Sequence, residues 1–383
     1  MNTEALIPTK EERHELLSKA IADFPLYSKK NDEQARFPFE NIKKLKEIGY
    51  PKYNVAKEDG GYGVSLSEWL QYQMLIAEKD GATSLAIGWH MGLMLQLRDY
   101  RRWDSNTYHS LIKDVVEKGA LINAAATEAA TGSPTRGGKP TTTARKEAGK
   151  WLINGQKTFT TMAPALDYFL VSATIEDEDK VANFLISKDT AGLKIEETWN
   201  MLAMRATASH DLHLTDVKLD LHRMVEYIER KKAAGWLLHI PACYLGIAKA
   251  AHRYAIEFAK NYSPNSIQQT ISELPNVQAK IGEAELLIRQ SEAFLFSVSN
   301  KWDQTVKESR EHLQADLGAV KHVVVNQAIQ VVDLAMRVVG AQSLKMDSPL
   351  QRYYRDVRAG LHNPPMDDMT IQLLAKEAIQ STS

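Results

Sequence analysis

The chain has 383 residues, a formal net charge of −1 and a single cysteine, Cys243. That length bounds the answer at two or three domains. Near-neutrality excludes the basic stripe of a nucleic-acid binder, and one thiol excludes an intrachain disulfide. Cys243 sits between Ala242 and Tyr244 on an apolar stretch and reads as an inert core thiol, compatible with a reducing compartment. The opening MNTEALIPTKEERHELL is charged and has no apolar core of a secretory signal. No stretch is read as a membrane span of about 20 apolar residues, so the expected place is the cytoplasm.

Taken in order, residues 1–118 read as helical. Thr9 and Glu12 have capping-box spacing, and Leu16, Leu17, Ala20, Ile21 and Phe24 follow at helical steps until Pro25. A second helix is predicted over Phe39–Ile48, stopped by Gly49 and Pro51. After the glycine-dense KEDGGYGVS, Ser67–Lys79 and the apolar Ser84–Leu97 return to helix. The texture changes near Ala120, and residues 119–225 read as a β domain, a small barrel or sandwich. Asn154-Gly155, flanked by Trp151–Ile153 and Thr158-Phe159, predicts a type I′ hairpin. Tyr168–Thr174 and Val181–Ser187 predict strands around the acidic turn Glu176–Lys180, and Leu212, Leu214 and Val217 another strand. From 226 to 383 the helical period returns in three long apolar stripes and a last helix from Asp367 to Gln380, the pattern of a four-helix bundle. The fold class is therefore α+β, mainly α, with the β domain between two helical ones.

Common catalytic signatures are missing: there is no phosphate loop, dinucleotide fingerprint, zinc-type histidine pair or serine-nucleophile elbow. Chemistry would then come from an organic cofactor. Asn123–Thr161 is the stretch that fits one. It gathers small residues, hydroxyls and one aromatic at two points that a hairpin would bring together, as a flat, hydrogen-bonding ring requires.

On these residues the chain resembles the acyl-CoA dehydrogenase superfamily over nearly its full length. ATEAATGS (Ala126–Ser133) is similar to the family's V-T-E-P-x-A-G-S-D, and INGQKTFTT (Ile153–Thr161) to I-N-G-x-K-x-W-I-T-N. MRATASHDLHLTDVKL (Met204–Leu219) resembles the stretch that closes the family's β domain. MRVVGAQSL (Met336–Leu344) and YYRDVRAG (Tyr353–Gly360) resemble Q-x-x-G-G-x-G and R-D-A-x.

The resemblance implies a flavoprotein, FAD-bound by the usual pattern, with FMN or transient reduced flavin also open. It implies Ala126 and Thr127 at the pyrimidine edge of the ring and Phe159 packed on it. It places Thr161 near N5, Ser133 near the phosphates, and Arg337, Gly340 and Ala341 on the adenine side. It further implies a homotetramer or dimer.

Four departures bear on the reaction. The glutamate base expected beyond R-D-A is replaced by Pro364, and the alternative position near Trp236 is not acidic. His362 stands two residues before Pro364, able to act as a base near neutral pH or to assist oxygen activation, as in the family's reduced-flavin monooxygenases. The diphosphate-binding R-x-x-F is absent from Asn261–Pro275, and Pro134 replaces an aspartate.

Asp367 is a second candidate base, or with Asp368 a helix cap. His90 is a candidate substrate contact, although a lone histidine on an apolar helix is more often a satisfied core residue. Arg98, Arg101 and Arg102 form either a coenzyme A phosphate contact or a solvated basic face.

Two reactions follow as expectations. The first is α,β-dehydrogenation of an acyl-CoA thioester with hydride transfer to FAD and a redox partner. The second is oxygenation of a small aromatic or heteroatom substrate with flavin reduced by a partner reductase. A non-catalytic flavin or acyl-CoA scaffold is the third.

Overall fold

The computed structural model describes residues 7–131, 138–228 and 233–381. Six helices come first: α1 (Lys10–Ala20), α2 (Phe24–Glu33), α3 (Phe39–Glu47), α4 (Leu66–Lys79), α5 (Gly81–Asp99) and α6 (Ser105–Lys118). The capping box at Thr9 is formed, with Glu12 N donating to the hydroxyl and Thr9 N to the Glu12 carboxylate. Pro25 does not end the helical run; it occupies the first turn of α2, where its missing N–H costs nothing.

Eight strands follow: β1 (Ile122–Ala125), β2 (Thr143–Glu147), β3 (Lys150–Thr160), β4 (Tyr168–Ile175), β5 (Lys180–Ser187), β6 (Leu193–Glu196), β7 (His210–Asp220) and β8 (Met224–Tyr227). They form one sheet in the order β6-β7-β3-β2-β4-β5-β8, with β1 alongside β4. Asn154-Gly155 is not a hairpin turn. Both residues lie inside β3, at a bulge against β7, and the turn falls six residues earlier at Ala148-Gly149, with φ 48° and 77°. Gly155 is required by proximity instead: a Cβ there would stand 2.4 Å from Thr142 Oγ1.

The last helices are α7 (His239–Asn261), α8 (Pro275–Gln304), α9 (Gln314–Val339), α10 (Pro349–Ala359) and α11 (Asp367–Ser381). By length and composition alone, the segment around α9 would cross a bilayer. Here Val320, Val324, Ala328 and Val331 are buried in the bundle, where α9 packs on α7 and α8.

The main apolar cluster crosses all three regions. It holds Leu17 and Trp69 from the first helices, Ile153 and Phe169 from the sheet, and Leu245, Leu295 and Val324 from the bundle. One polar link spans the same distance. The Asp303 carboxylate, at the end of α8, accepts the backbone N–H groups of Leu66 and Ser67 at 2.9 Å each, capping α4 from 236 or more residues away.

Candidate active site

The site is built where β1 runs out beside the bulged end of β3. Thr158 N donates to Thr127 O at 2.8 Å, and Asn123 Nδ2 donates to Thr161 O at 3.0 Å. The two halves of the Asn123–Thr161 stretch thus meet as expected, but through direct contact of β1 and β3 rather than through an Asn-Gly hairpin.

A buried ion pair locks them together. Lys157 Nζ lies 2.6 Å from Glu128 Oε1, with side chains 0 % and 2 % exposed. Glu128 also accepts from Thr141 N, Thr141 Oγ1 and Thr142 N. Burial alone would raise this carboxyl; the Lys157 ammonium and the threonine donors overcome it and hold Glu128 at about 2.

Phe159 is not strand core. Its backbone is left-handed at φ 59°, in the second bulge of β3, and its side chain is 53 % exposed. The edge-on ring of Trp199, 5.9 Å away, steadies it from one side. Ala124 is exposed, and Ala126 and Thr127 are half-buried. Thr161, by contrast, is 9 % exposed.

The turn opposite β3 carries the rest. Met162 N donates to Thr207 O at 2.9 Å and Ala163 N to Ala208 O at 3.3 Å. Phe159, Met162, Met204 and Ala208 all have positive φ, so two strained turns face each other here. Thr161, Ser209 and Thr207 join hydroxyl to hydroxyl at 2.9 Å steps, ending on Met204 O.

Two residues of α10 anchor this turn. Asp356 accepts from Met204 N at 2.7 Å, while Arg355 donates to Leu202 O and grips Asp32 of α2 through two nitrogens. Burial raises the Asp356 carboxyl to about 7, despite the Met204 N–H and the nearby Arg352.

Against this frame the remaining candidates separate. His90 is a core residue, not a substrate contact. It is fully buried on α5, with Nε2 on Pro51 O at 3.0 Å and Nδ1 accepting from Ile122 N at 3.2 Å. Burial lowers it to about 4, so a neutral ring ties α5 to β1.

His362 is exposed, in the turn after α10 and just before the half-buried Pro364 and Pro365. Asp367 is occupied. It takes hydrogen bonds from Lys321 Nζ and Asn326 Nδ2 and lies 3.2 Å from His322 Nδ1. Burial would raise its carboxyl, but these partners pull it below the usual range, which makes it a weak base and a structural tie for α11.

Arg337, Gly340 and Ala341 are exposed at the C-terminal end of α9, where Gly340 takes φ 70° to end the helix. Ser133 and Pro134 lie outside the described residues. Arg98 donates to Val64 O, and Arg101 pairs with Glu58 and Asp59, so both already have partners within the first helices.

Comparison with known proteins gives the family. The N-terminal, middle and C-terminal domains of acyl-CoA dehydrogenase match residues 9–100, 123–217 and 238–363. The Bacillus subtilis protein YdbM, named as a candidate acyl-CoA dehydrogenase, is 51 % identical over 370 residues, covering 96 % of both chains. The chain belongs to the acyl-CoA dehydrogenase family. Two solved structures share its fold. KijD3 in complex with FMN and a dTDP-amino-keto sugar has TM-score 0.85 at 21 % identity, covering 99 % of this chain and 95 % of that one. Butyryl-CoA dehydrogenase from Megasphaera elsdenii has TM-score 0.83 at 18 % identity, covering 96 % and 98 %.

Within this acyl-CoA dehydrogenase fold, neither customary base position holds a carboxylate. One is Pro364. At the other, the start of α7, stand Trp236 and the fully buried His239, stacked between Trp69 and Trp236 with interplanar angles of 25° and 10°. Burial lowers His239 to about 3, so this imidazole stays neutral.

Reading the sequence singled out Phe159 and Thr161 but not Glu128 with Lys157, nor Thr207 with Ser209. The first pair is separated by 28 intervening residues and has no spacing rule. The second lies in the quoted Met204–Leu219 stretch, where two hydroxyls either side of Ala208 were the available signal.

Proposed function

We propose that the protein is a flavin-dependent oxidoreductase that stacks the isoalloxazine ring on Phe159, with Thr161 beside N5 and the backbone of Ala126-Thr127 at the pyrimidine edge. The observation that carries this reading is the exposed Phe159 ring, held at φ 59° next to a buried hydroxyl chain. A large apolar ring half in water is a platform waiting for a flat partner. The FMN bound to KijD3 supports the same reading by analogy of fold.

A bound flavin would supply two-electron transfer and, when reduced, oxygen activation. The reaction best supported is reduced-flavin-dependent oxygenation of a small substrate, because both base positions lack a carboxylate and Asp367 is tied to Lys321. His362 would hold or deliver a proton. The second reading is α,β-dehydrogenation of an acyl-CoA thioester, favoured by the likeness to YdbM. Arg337, Gly340 and Ala341 would meet the adenylate of FAD held by a second copy, and we assign the protein to the cytoplasm.

Anaerobic mixing of the oxidised flavoprotein with saturated acyl-CoAs of short to long chain separates the readings. No bleaching of the flavin band, together with protein-delayed reoxidation of added reduced FMN by oxygen, is the expected result. Bleaching by any acyl-CoA would overturn the oxygenase reading in favour of the dehydrogenase. Reoxidation at the rate of free flavin, with no bleaching, would reject both. Unchanged delay in His362→Ala would remove His362 from the chemistry.

A further inference from the structure

His239 takes no part in the hydrogen bonding of the fold. The side chain is 0 % exposed, and neither ring nitrogen has a partner among the described residues. Burial keeps the ring neutral, so one nitrogen carries a proton and the other a lone pair. Three indoles surround it. Trp69 and Trp236 stack with it at centroid distances of 5.9 and 6.1 Å, and Trp89 meets it edge-on at 4.9 Å. An indole face can receive an N–H weakly but gives nothing to a lone pair.

A second acceptor is stranded next to the first. Gln73 of α4 donates through Nε2 to Ser84 O at 2.5 Å, which sets the amide and leaves Oε1 without a donor. Both side chains press on the same bare spot of α5. A Cβ on Gly88 would lie 2.4 Å from His239 Nδ1 and 2.5 Å from Gln73 Nε2. A buried acceptor with no donor weakens a fold, whereas an apolar side chain of similar volume would not. Packing therefore gives no reason for an imidazole at this position, and a ligand that donates to it does.

The approach is also defined. Trp89 and Trp236 are half-buried, while His239 behind them is closed off. Trp236 precedes His239 by three residues, across the short helical turn Gly235–Leu238 that leads into α7. Its ring rests on another bare spot of α5, where a Cβ on Gly92 would lie 2.5 Å from Trp236 Cε3.

We propose that His239 recognises the substrate, and that the substrate is a small aromatic molecule bearing a ring O–H or N–H, which enters past Trp236 and donates to the imidazole. Indole walls favour a flat ring, and the lone pairs of His239 and Gln73 require a donor. The tail of a saturated acyl chain supplies neither. The inference rests on the oxygenase reading above and names the class of molecule that such a site would take.

Calorimetric titration with p-cresol and with its methyl ether, on the FMN-loaded protein and on the apoprotein, tests it. The two probes differ in the donor. The wild type should bind p-cresol about tenfold or more tightly than the ether. In His239→Leu the difference should fall below about threefold through loss of p-cresol affinity, with the ether held within about twofold. Without ligand, the same variant should melt at or above the wild-type temperature, since a stranded polar ring has been replaced by an apolar group. His239→Gln, which keeps an acceptor, should retain part of the preference.

Equal binding of the two probes by the wild type, or no saturable binding of either, overturns the proposal without any variant. So does an unchanged preference in His239→Leu, or a fall in its Tm of about 4 °C or more, which would give the imidazole a packing role. Failure of the flavin reading looks different: FMN does not bind saturably, while the apoprotein still distinguishes the two probes.

Discussion

Removing the Lys157 charge tests how the two halves of the site are held. In Lys157→Met the Glu128 carboxylate, 2 % exposed, keeps its three threonine donors but loses the ammonium at 2.6 Å. Breaking a buried pair by deleting one partner costs about 3–5 kcal/mol, because the remaining charge is stranded away from water. For a chain of this length that is a fall in Tm of about 4–6 °C, from the per-residue unfolding entropy. Glu128→Gln should cost a similar amount by stranding the ammonium. The double variant should lose clearly less than the sum, since neither charge remains. Chemical denaturation of the four proteins, followed by circular dichroism, gives the cycle. Single-variant losses under about 1 kcal/mol, or strict additivity, would refute the view that this pair locks β1 to β3. Flavin affinity should fall with the singles, because Thr127 and Phe159 are positioned by the residues next to the pair.

Phe159→Ala should weaken flavin binding about tenfold or more while leaving Tm within about 1 °C, since the ring is half exposed; a large Tm loss with unchanged affinity would return Phe159 to a packing role. His90 predicts a pH effect. Burial holds its folded value at about 4 against an ordinary value near 6.5, so below 6.5 the unfolded chain takes up the proton first. Stability is then complete above about pH 6.5 and lost as pH falls through 4, by about 3 kcal/mol for this group. His90→Gln should flatten the loss between pH 7 and pH 4.5, and an identical slope in the variant would be evidence against it. Asp367→Asn should lower stability by about 1–3 kcal/mol by weakening the tie to buried Lys321, with turnover per folded molecule unchanged; lost turnover in a stably folded variant would make Asp367 part of the chemistry.

Much of the architecture was legible because its signals are local. The Thr9 capping box, the stripe from Val320 to Val338 and the acidic turn after β4 each follow from neighbours within a few residues. The Asn154-Gly155 reading failed because tertiary contact outranked turn chemistry. The same glycine that tolerates a type I′ turn also tolerates the close approach of Thr142, and the sheet used the second property. His90 left a core role and a substrate contact both open in the sequence; Pro51 and Ile122, distant in sequence, occupy both ring nitrogens and decide for the core. Phe159 and Thr161 were singled out through resemblance of short motifs. The hydroxyl contact behind Thr161 is made with Ser209, 48 residues away, and is a property of the folded turn alone.

Asp303 holding the first turn of α4 has a consequence for how the molecule comes apart. A cut near residue 118 would leave the Leu66 and Ser67 N–H groups of α4 without the Asp303 carboxylate and α4 without the bundle residues that complete its apolar cluster. A cut near 225 would strip α10 from the Met204 turn. Neither fragment carries its own finished interior, so the three lengths of chain form a single cooperative unit. Calorimetry should record one transition, and a protease that nicks an exposed loop should leave pieces that remain associated until denaturant is added.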